Sequence, residues 1–546
     1  MVDLQKISQS QDALLDALAR LDRGELPLPK LKPFSSPFGV YPQRNGKVMT
    51  RVRLHGGEIT PQKLRFLSTL FAETKPDFAM FSTRQNVQVH GNSAAGAART
   101  IRECTANGLP FRGGGGDTFR SVSVTPESGI ADDGAPDLVP FAQFLAEQVF
   151  GWDEAFALPR KLKVGFSPSG NSVVARRQDL GFVSETDANG RLGFKVFGGG
   201  GLGKSPIEAF PLIDFIPAEK LVPATRAAVE LFSENGNRKN RGEARLRFLR
   251  RAWGDDTFRA RYVEYFEKAC ASGAFPPPPA FPHTRDLRAT FPTENFDESA
   301  AQTADFSERE RADFEAWKKL ALAPTRFGDD FVSVQIFVPD GRLTPDEFAQ
   351  FTALIEWTGT PVVRLTFAKS AILPAVPVRA VPALYRRLKA FPIDLCFTSM
   401  LGRIVCCVGA ATCSIGMLDT PKYAREVALR FDEFFRENPE LRTARNVNAI
   451  LDGLRFSGCP SSCSVHQAGK IGFQGWKKVI GGKPTEGFLL WQKKRPAADV
   501  AGTEEAPAGT PADPIVGETE GLFVPAAELP DFVLSLARER LIVPAS

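Results

Sequence analysis

Apolar positions in this chain recur at two periods, and each change of period marks an element. Residues 48–54 (Val-Met-Thr-Arg-Val-Arg-Leu) alternate as a strand does, which places Arg51 and Arg53 on the face opposite Val48, Val52 and Leu54. After Gly56-Gly57 the period lengthens. Leu64, Leu67 and Leu70, with Phe66 and Phe71, predict a helix starting at Pro61, a residue type favoured at the first helical position. A strand near 78–90 then puts Arg84, Asn86, Gln88 and His90 on one face and Val87 and Val89 on the other. At the amino end, Leu14, Leu18 and Leu21 stand at helical spacing among Asp, Gln and Arg, which predicts an amphipathic helix rather than a signal peptide. A last helix near 527–540 is expected to cover an edge.

The first plan returns at a fixed offset of 284 residues. Gly57-Glu58-Ile59-Thr60-Pro61 matches Gly341-Arg342-Leu343-Thr344-Pro345, and Leu64, Leu67, Leu70 and Phe71 fall on Phe348, Phe351, Leu354 and Ile355. Phe81-Ser82 falls on Leu365-Thr366. A turn, a helix and a strand in one ungapped register predict two similar halves. The polar positions break the match: Arg84, Gln85, Asn86 and His90 correspond to Ala368, Lys369, Ser370 and Pro374. A doubled scaffold enclosing one asymmetric site would produce that difference.

With 546 residues the chain exceeds what one core usually holds. Its 68 Lys and Arg against 63 Asp and Glu leave a net charge of only +5, which gives no reason to expect nucleic acid. No run of 18 apolar residues occurs, so no membrane span is expected, and the chain is expected in the cytoplasm with its eight cysteines reduced.

Four of those cysteines form two close pairs. Cys407 and Cys413 are separated by five residues, and Cys459 and Cys463 follow after 45 more, set among Gly409, Gly416, Gly458 and several alanines and serines. Four thiolates in small-residue surroundings suit an iron–sulfur cluster, whose sulfides need close backbone amides. Zinc and plain buried thiols remain alternatives, and His466 would suit zinc on spacing. Arg160, Lys161 and Lys163 open a strand with Lys161 and Lys163 on one face, either as a lysine-defended edge or as an anion site. Arg238, Lys239, Arg241, Arg245, Arg247, Arg250 and Arg251 crowd into 14 residues, by default a solvated helix face or else a holder for a polycarboxylate. Gly198 to Ser205 fits the P-loop pattern formally, so a P-loop NTPase is the reading from a different class.

The Cys407/Cys413 pair, Gly458-Cys459-Pro460-Ser461-Ser462-Cys463, Ser82-Thr83-Arg84-Gln85-Asn86 and Leu158-Pro159-Arg160-Lys161-Leu162-Lys163 together resemble the sirohaem-dependent nitrite and sulfite reductases. The resemblance runs from about residue 38 to 490. It implies that Cys407, Cys413, Cys459 and Cys463 hold a 4Fe–4S cluster and that Cys463 bridges to the iron of sirohaem. Sirohaem is rich in carboxylates, so the resemblance makes Arg51, Arg53, Arg84, Asn86, His90 and some of the 238–251 arginines candidates for its binding. Arg84, Arg120, Lys161 and Lys163 match the family's anion-binding cations. Two features depart from the family's pattern: Phe119 stands where a polar residue is common, and Gly113 to Gly116 exclude the cysteine that some members cross-link to a tyrosine.

In nitrite-reducing members the second lysine is often asparagine, so Lys163 tilts the implied reaction toward the six-electron reduction of sulfite to sulfide, with nitrite to ammonium as the alternative. No flavin or nicotinamide fingerprint is present, which implies an outside donor, reduced ferredoxin or a similar acidic protein. The expected fold is α+β with two pseudo-symmetric halves, each a ferredoxin-like half-domain plus a larger mixed α/β sirohaem/cluster domain. The expected boundaries are an N-terminal helix and extension (1–37), a first half-domain (38–100) and a sirohaem and substrate domain (101–275). A linker (276–324, Pro-rich at 274–282), a second half-domain (325–392), an iron–sulfur domain (393–491), a low-complexity linker (492–514) and a C-terminal segment (515–546) complete the chain.

Overall fold

The computed structural model describes residues 4–280, 284–291, 303, 306–493 and 515–544. The 492–514 linker, beyond Gln492 and Lys493, and much of 276–305 lie outside the described residues. The chain divides into two compact units, Met1–Gly200 with Ala209–Ser399, and Gly201–Glu208 with Met400–Ser546. Among the described residues no helix is long and apolar enough to cross a membrane.

The first unit holds both ferredoxin-like sheets, each of five strands. The helices Pro61–Thr74 and Pro345–Thr358 begin alike: Thr60 and Thr344 cap them by accepting the backbone N–H of Lys63 and Glu347. Their apolar faces meet, with the rings of Phe71 and Phe348 5.0 Å apart and those of Phe81 and Phe351 5.7 Å apart. The halves also trade strands. Arg342–Leu343 pairs with Phe78–Phe81 of the first half, and Glu58–Ile59 pairs with Val363–Leu365 of the second. The repeat therefore folds as one body, because each sheet is incomplete without two residues of the other half.

A buried ion network locks this exchange. Glu58 accepts from Arg285 at 2.9 and 2.6 Å and from Arg364 at 2.7 Å, while Asp137 accepts from the same two arginines at 2.7 and 3.1 Å. Burial pushes the Glu58 carboxyl up, but Arg285 and Arg364 outweigh it and hold it at about 2 against an ordinary 4.5. A carboxylate depressed on folding contributes stability above its unfolded value that is lost as pH falls through 4.5 toward 2, here on the order of 3 kcal/mol. Glu58→Gln is expected to cost roughly 3–5 kcal/mol at neutral pH, since it leaves the buried Arg364 and the partly buried Arg285 sharing one carboxylate. Denaturant midpoints from pH 7 to 3 check this: the gap between wild type and variant should narrow below pH 4.5.

The larger sheet of the first unit runs in the order Phe210–Pro217, Leu192–Gly198, Leu180–Thr186, Val164–Ser167, Ser123–Val124, with the last three parallel and the others antiparallel. In its core Phe166 stacks on Phe182, and Phe194 meets both rings edge-on. The second unit repeats this topology as Val405–Cys406, Leu454–Ser457, Ile471–Ile480, Lys483–Gln492 and Phe523–Pro525, again with three parallel strands and two antiparallel.

Three local expectations change. The strand expected over 78–90 is a hairpin, Phe78–Phe81 and Val87–Asn92, whose turn holds Gln85 at φ 56°. Its counterpart turn holds Lys369 at φ 63°. Much of the 276–324 linker's end is ordered, with helix Glu308–Ala321 started by a Ser307/Glu310 capping box and followed by strand Leu322–Pro324. The last helix, Leu529–Arg540, packs on helix Thr420–Glu437, where Arg430 donates to Asp531 at 2.7 Å, and also touches the edge strand Phe523–Pro525. Finally, Gly198 to Ser205 is no P-loop: no helix follows it, Gly201 bridges Ile207, and the next element is a strand.

Candidate functional site

In the second unit, both cysteine pairs lie at the carboxyl ends of adjacent parallel strands. Val405–Cys406 runs into Cys407, and Leu454–Ser457 runs into Gly458-Cys459, so the two loops leave the sheet at the same edge. Glycine lets them meet. A Cβ on Gly458 would lie 2.5 Å from Thr420 Oγ1, and one on Gly409 would lie 2.3 Å from Leu418 O. Amide groups point at the sulfurs: Gly458 N–H donates to Cys407 Sγ at 3.2 Å. Burial pushes the Cys413 thiol up, the N–H groups of Ile415 and Gly416 pull it down, and Cys407 and Cys459 stand near enough to raise it further.

Cys407, Cys413 and Cys459 are partly buried and Cys463 is exposed, in a loop where Ser462 and Val465 take positive φ. Among the described residues no three ligating side chains close on a single ion. Two thiol pairs on glycine loops, with amides directed at sulfur, fit a multi-iron cluster rather than one tetrahedral zinc. His466 is fully buried against the Trp491 ring at 5.6 Å, and burial lowers it to about 3 while Gln474 opposes the shift. It is a neutral packing residue at pH 7.

In the first unit, the cations gather at the amino ends of the three parallel strands. Phe119 bridges Leu162 in a parallel step below the sheet, and Arg120 N–H donates to Leu162 O at 2.9 Å, which sets Arg120 beside the Lys161–Lys163 segment. The strand itself starts at Val164, so Lys161 and Lys163 sit on the extended approach to it.

The glycine turn at 113–116 holds the arginines by its carbonyls. Gly114 O accepts from Arg51 at 2.6 Å and from Arg120 at 3.2 Å, and Gly116 O accepts from Arg120 at 2.7 Å. A Cβ on Gly115 would fall 2.1 Å from the Tyr41 hydroxyl, so that position tolerates only glycine. Tyr41 in turn accepts the Gly116 N–H at 3.1 Å. Burial raises its phenol, but Arg120 and Arg51 outweigh burial and bring it below the ordinary 10.

Arg84 reaches in from the hairpin turn, donating to Ser121 O at 2.7 Å and Gln178 Oε1 at 3.2 Å. Burial, then Arg120, lowers it to about 9. Burial also lowers Arg120, to about 10, with Arg51, Arg160 and Arg245 adding to the shift and Tyr41 opposing it. Both stay cationic at neutral pH. Lys163 is held well below 10.5 by burial first, then by Arg84, Lys161 and Arg245. The Nε atoms of Arg84 and Arg120 are buried without a hydrogen-bond partner. A cluster of like charges with idle buried donors fits an anion, and a carboxylate-rich macrocycle equally.

The other expected residues are placed as follows. Arg53 is buried over the Phe150 ring at 5.2 Å and donates to Arg112 O and, at 3.4 Å, to Ser121 Oγ; burial, then Arg120 and Arg51, lower it to about 9. The Asn86 side-chain oxygen accepts the Leu54 N–H at 2.9 Å. His90 stacks on Phe78 at 4.7 Å and contacts Gln43 at 3.0 Å, and burial, then Arg342 and Arg51, lower it to about 3. The 238–251 cluster is only partly a solvated face: Arg238, Lys239, Arg241 and Arg251 are exposed, whereas Arg245, Arg247 and Arg250 are buried. Arg245 pairs with Asp179, Arg250 with Asp255, and Arg241 with Asp117, which also accepts from Arg160 at 2.6 Å. Tyr41, Ser121, Gln178 and Asp179 were absent from the sequence reading. Only Asp179 carried a signal, a lone acid closing the basic run Arg176-Arg177-Gln178-Asp179 at a strand start.

Family models match three stretches of the chain, none of which includes Cys407 to Cys463. Residues 115–270 match the "Nitrite and sulphite reductase 4Fe-4S domain", and residues 41–106 and 324–391 each match the "Nitrite/Sulfite reductase ferredoxin-like half domain", together just over half of the chain. The chain belongs to the nitrite and sulfite reductase family, and its cofactors are sirohaem and a 4Fe–4S cluster. A ferredoxin–nitrite reductase of Synechococcus elongatus is 27% identical over 92% of this chain and 88% of its own length. A sulfite reductase [ferredoxin] of Mycolicibacterium paratuberculosis is 25% identical over 81% of this chain and 72% of its own. The solved structure of the Mycobacterium tuberculosis NirA protein shares the fold, with a TM-score of 0.72 at 21% identity over 97% of this chain and 91% of that one.

Proposed function

We propose that this enzyme reduces sulfite to sulfide in the cytoplasm, taking six electrons one at a time from reduced ferredoxin or a similar small acidic donor, with nitrite to ammonium as a second reaction. The observation that supports this most is the half-buried cluster of Arg84, Arg120 and Lys163, with two guanidinium Nε atoms buried without a partner and one lysine weakened as a base. Relatives named for nitrite and for sulfite both carry ferredoxin in their names. When bound, the sirohaem and its cluster supply the electron path and an open iron position. Cys407, Cys413, Cys459 and Cys463 would hold the cluster, with Cys463 the thiolate shared with sirohaem; Arg51, Arg53, Arg84, Asn86 and His90 are the proposed sirohaem-side residues.

The chain's own part is charge and protons. Arg84 and Arg120 offer fixed donors to the anion's oxygens, and their positions are set by carbonyls, so little reorganises as charge builds. Lys163 is a stronger acid than a free lysine, which suits proton delivery as each oxygen leaves as water. Lys161 shares that role and adds charge. A doubly charged anion gains more than a singly charged one from each extra cation.

The absorption spectrum and iron count of anaerobically purified protein test the cofactors; a colourless chain would sink the proposal. For substrate choice, Lys163→Asn is expected to lower the sulfite-to-nitrite ratio of kcat/KM by roughly tenfold, about 1.4 kcal/mol. An unchanged ratio would remove Lys163 as the discriminating residue.

A further inference from the structure

Two consecutive residues, Gln178 and Asp179, tie together cations that are far apart in the chain. Gln178 takes Arg84 at 3.2 Å. Asp179 is fully buried at the start of the central parallel strand and accepts Arg245 Nε at 3.1 Å and Arg245 Nη2 at 2.8 Å on each oxygen. Its Oδ2 also accepts the Lys163 backbone N–H at 2.9 Å. The backbone repeats the clamp: Asp179 and Leu180 N–H groups both donate to Lys163 O at 3.1 Å, and Asp179 O accepts Gly199 N–H at 2.9 Å. A plain structural ion pair would need only the Arg245 contacts. This carboxylate also fixes the backbone of Lys163, one of the two lysines whose protons the chemistry would use.

We propose that Asp179 is a positioning residue for anion reduction, fixing Lys163 and Arg245 in one geometry and supplying the negative charge that Lys163 faces. The proposal rests on the assignment of Lys163 to the substrate anion. The charged groups acting on Lys163 are Arg84 from the hairpin turn, Lys161 from its own segment, Arg245 ahead of helix Leu246–Trp253, and Asp179 from the neighbouring strand. Three of the four are cations. Without the carboxylate, the ammonium loses its proton at lower pH, and the anion loses its donor over the pH range between the two values.

The test is Asp179→Asn in the sirohaem-loaded enzyme, an exchange that keeps the shape and an oxygen for the Lys163 N–H. The alkaline limb of kcat/KM against pH should move toward acid, since removing an opposite charge disfavours the protonated lysine. Anion affinity without reductant, read from the sirohaem absorption, should weaken about tenfold across the same pH window, which measures binding apart from turnover. Asp179→Glu keeps the charge but displaces the clamp. It should leave the limb in place while lowering kcat/KM by up to about a hundredfold. The Glu variant carries the test if the Asn variant does not accumulate as holoenzyme. A uniform loss with the limb unmoved in Asp179→Asn, or full activity in Asp179→Glu, overturns the proposal while leaving the function intact. A wild type that reduces neither anion overturns both.

Discussion

Replacing Cys463 by serine is expected to take turnover on sulfite and nitrite to the detection limit while leaving the protein folded. The side chain is exposed, in a loop between Ser462 and Ser464, and it buries no core surface, so stability should stay within about 0.5 kcal/mol of wild type. Sulfur and oxygen differ in the property that matters. A thiolate is a soft ligand readily formed near neutral pH, whereas a serine hydroxyl keeps its proton and binds iron poorly. If Cys463 is shared between the cluster and the sirohaem iron, its loss cuts the route between electron entry and the anion. Iron content, the sirohaem spectrum and steady-state rates of one preparation check the prediction. Retained turnover would assign the shared thiolate elsewhere.

Arg120→Met should be nearly as costly, for an electrostatic reason. Arg120 donates to Gly114 O and Gly116 O, and its remaining Nε is buried without a partner. Removing one preorganised donor from a water-poor site typically costs about 2.7–4 kcal/mol of transition-state stabilisation, which is roughly 10²–10³ in kcat/KM. A second readout isolates the charge from the packing. Arg120 is the larger of the two cations lowering Tyr41, so the Tyr41 phenol should titrate at higher pH in Arg120→Met, as ultraviolet difference spectra would show. Arg120→Lys should recover part of the rate at most, because one ammonium cannot span both carbonyls as the guanidinium fork does.

The repeat was legible because its signals are local. A threonine cap, a proline at the first helical position and an apolar stripe act within a few residues, and they recur at one offset. The cysteine spacing was legible for a similar reason, since loops at the ends of paired strands need small residues whatever surrounds them. The hairpin turn was not. Ser82 to Asn86 contains no glycine or proline, and Gln85 takes φ 56° because Ser82 Oγ holds the N–H groups of Arg84 and Asn86. Thr366 Oγ1 does the same for Ala368 and Ser370 in the other half, a symmetry hidden by differing residue types.

The sequence by itself therefore determined the doubled scaffold and the close spacing of the two cysteine pairs. Only the tertiary structure decided what the arginines of 238–251 do. Their spacing along a short helix reads as a surface, because charge is normally kept in water. Arg245 is buried because Asp179, 66 residues earlier, neutralises it, and Arg250 because Asp255 does. Desolvating a charge is tolerated only where a partner waits, and for Arg245 that partner is placed by the parallel sheet that brings the starts of three strands side by side.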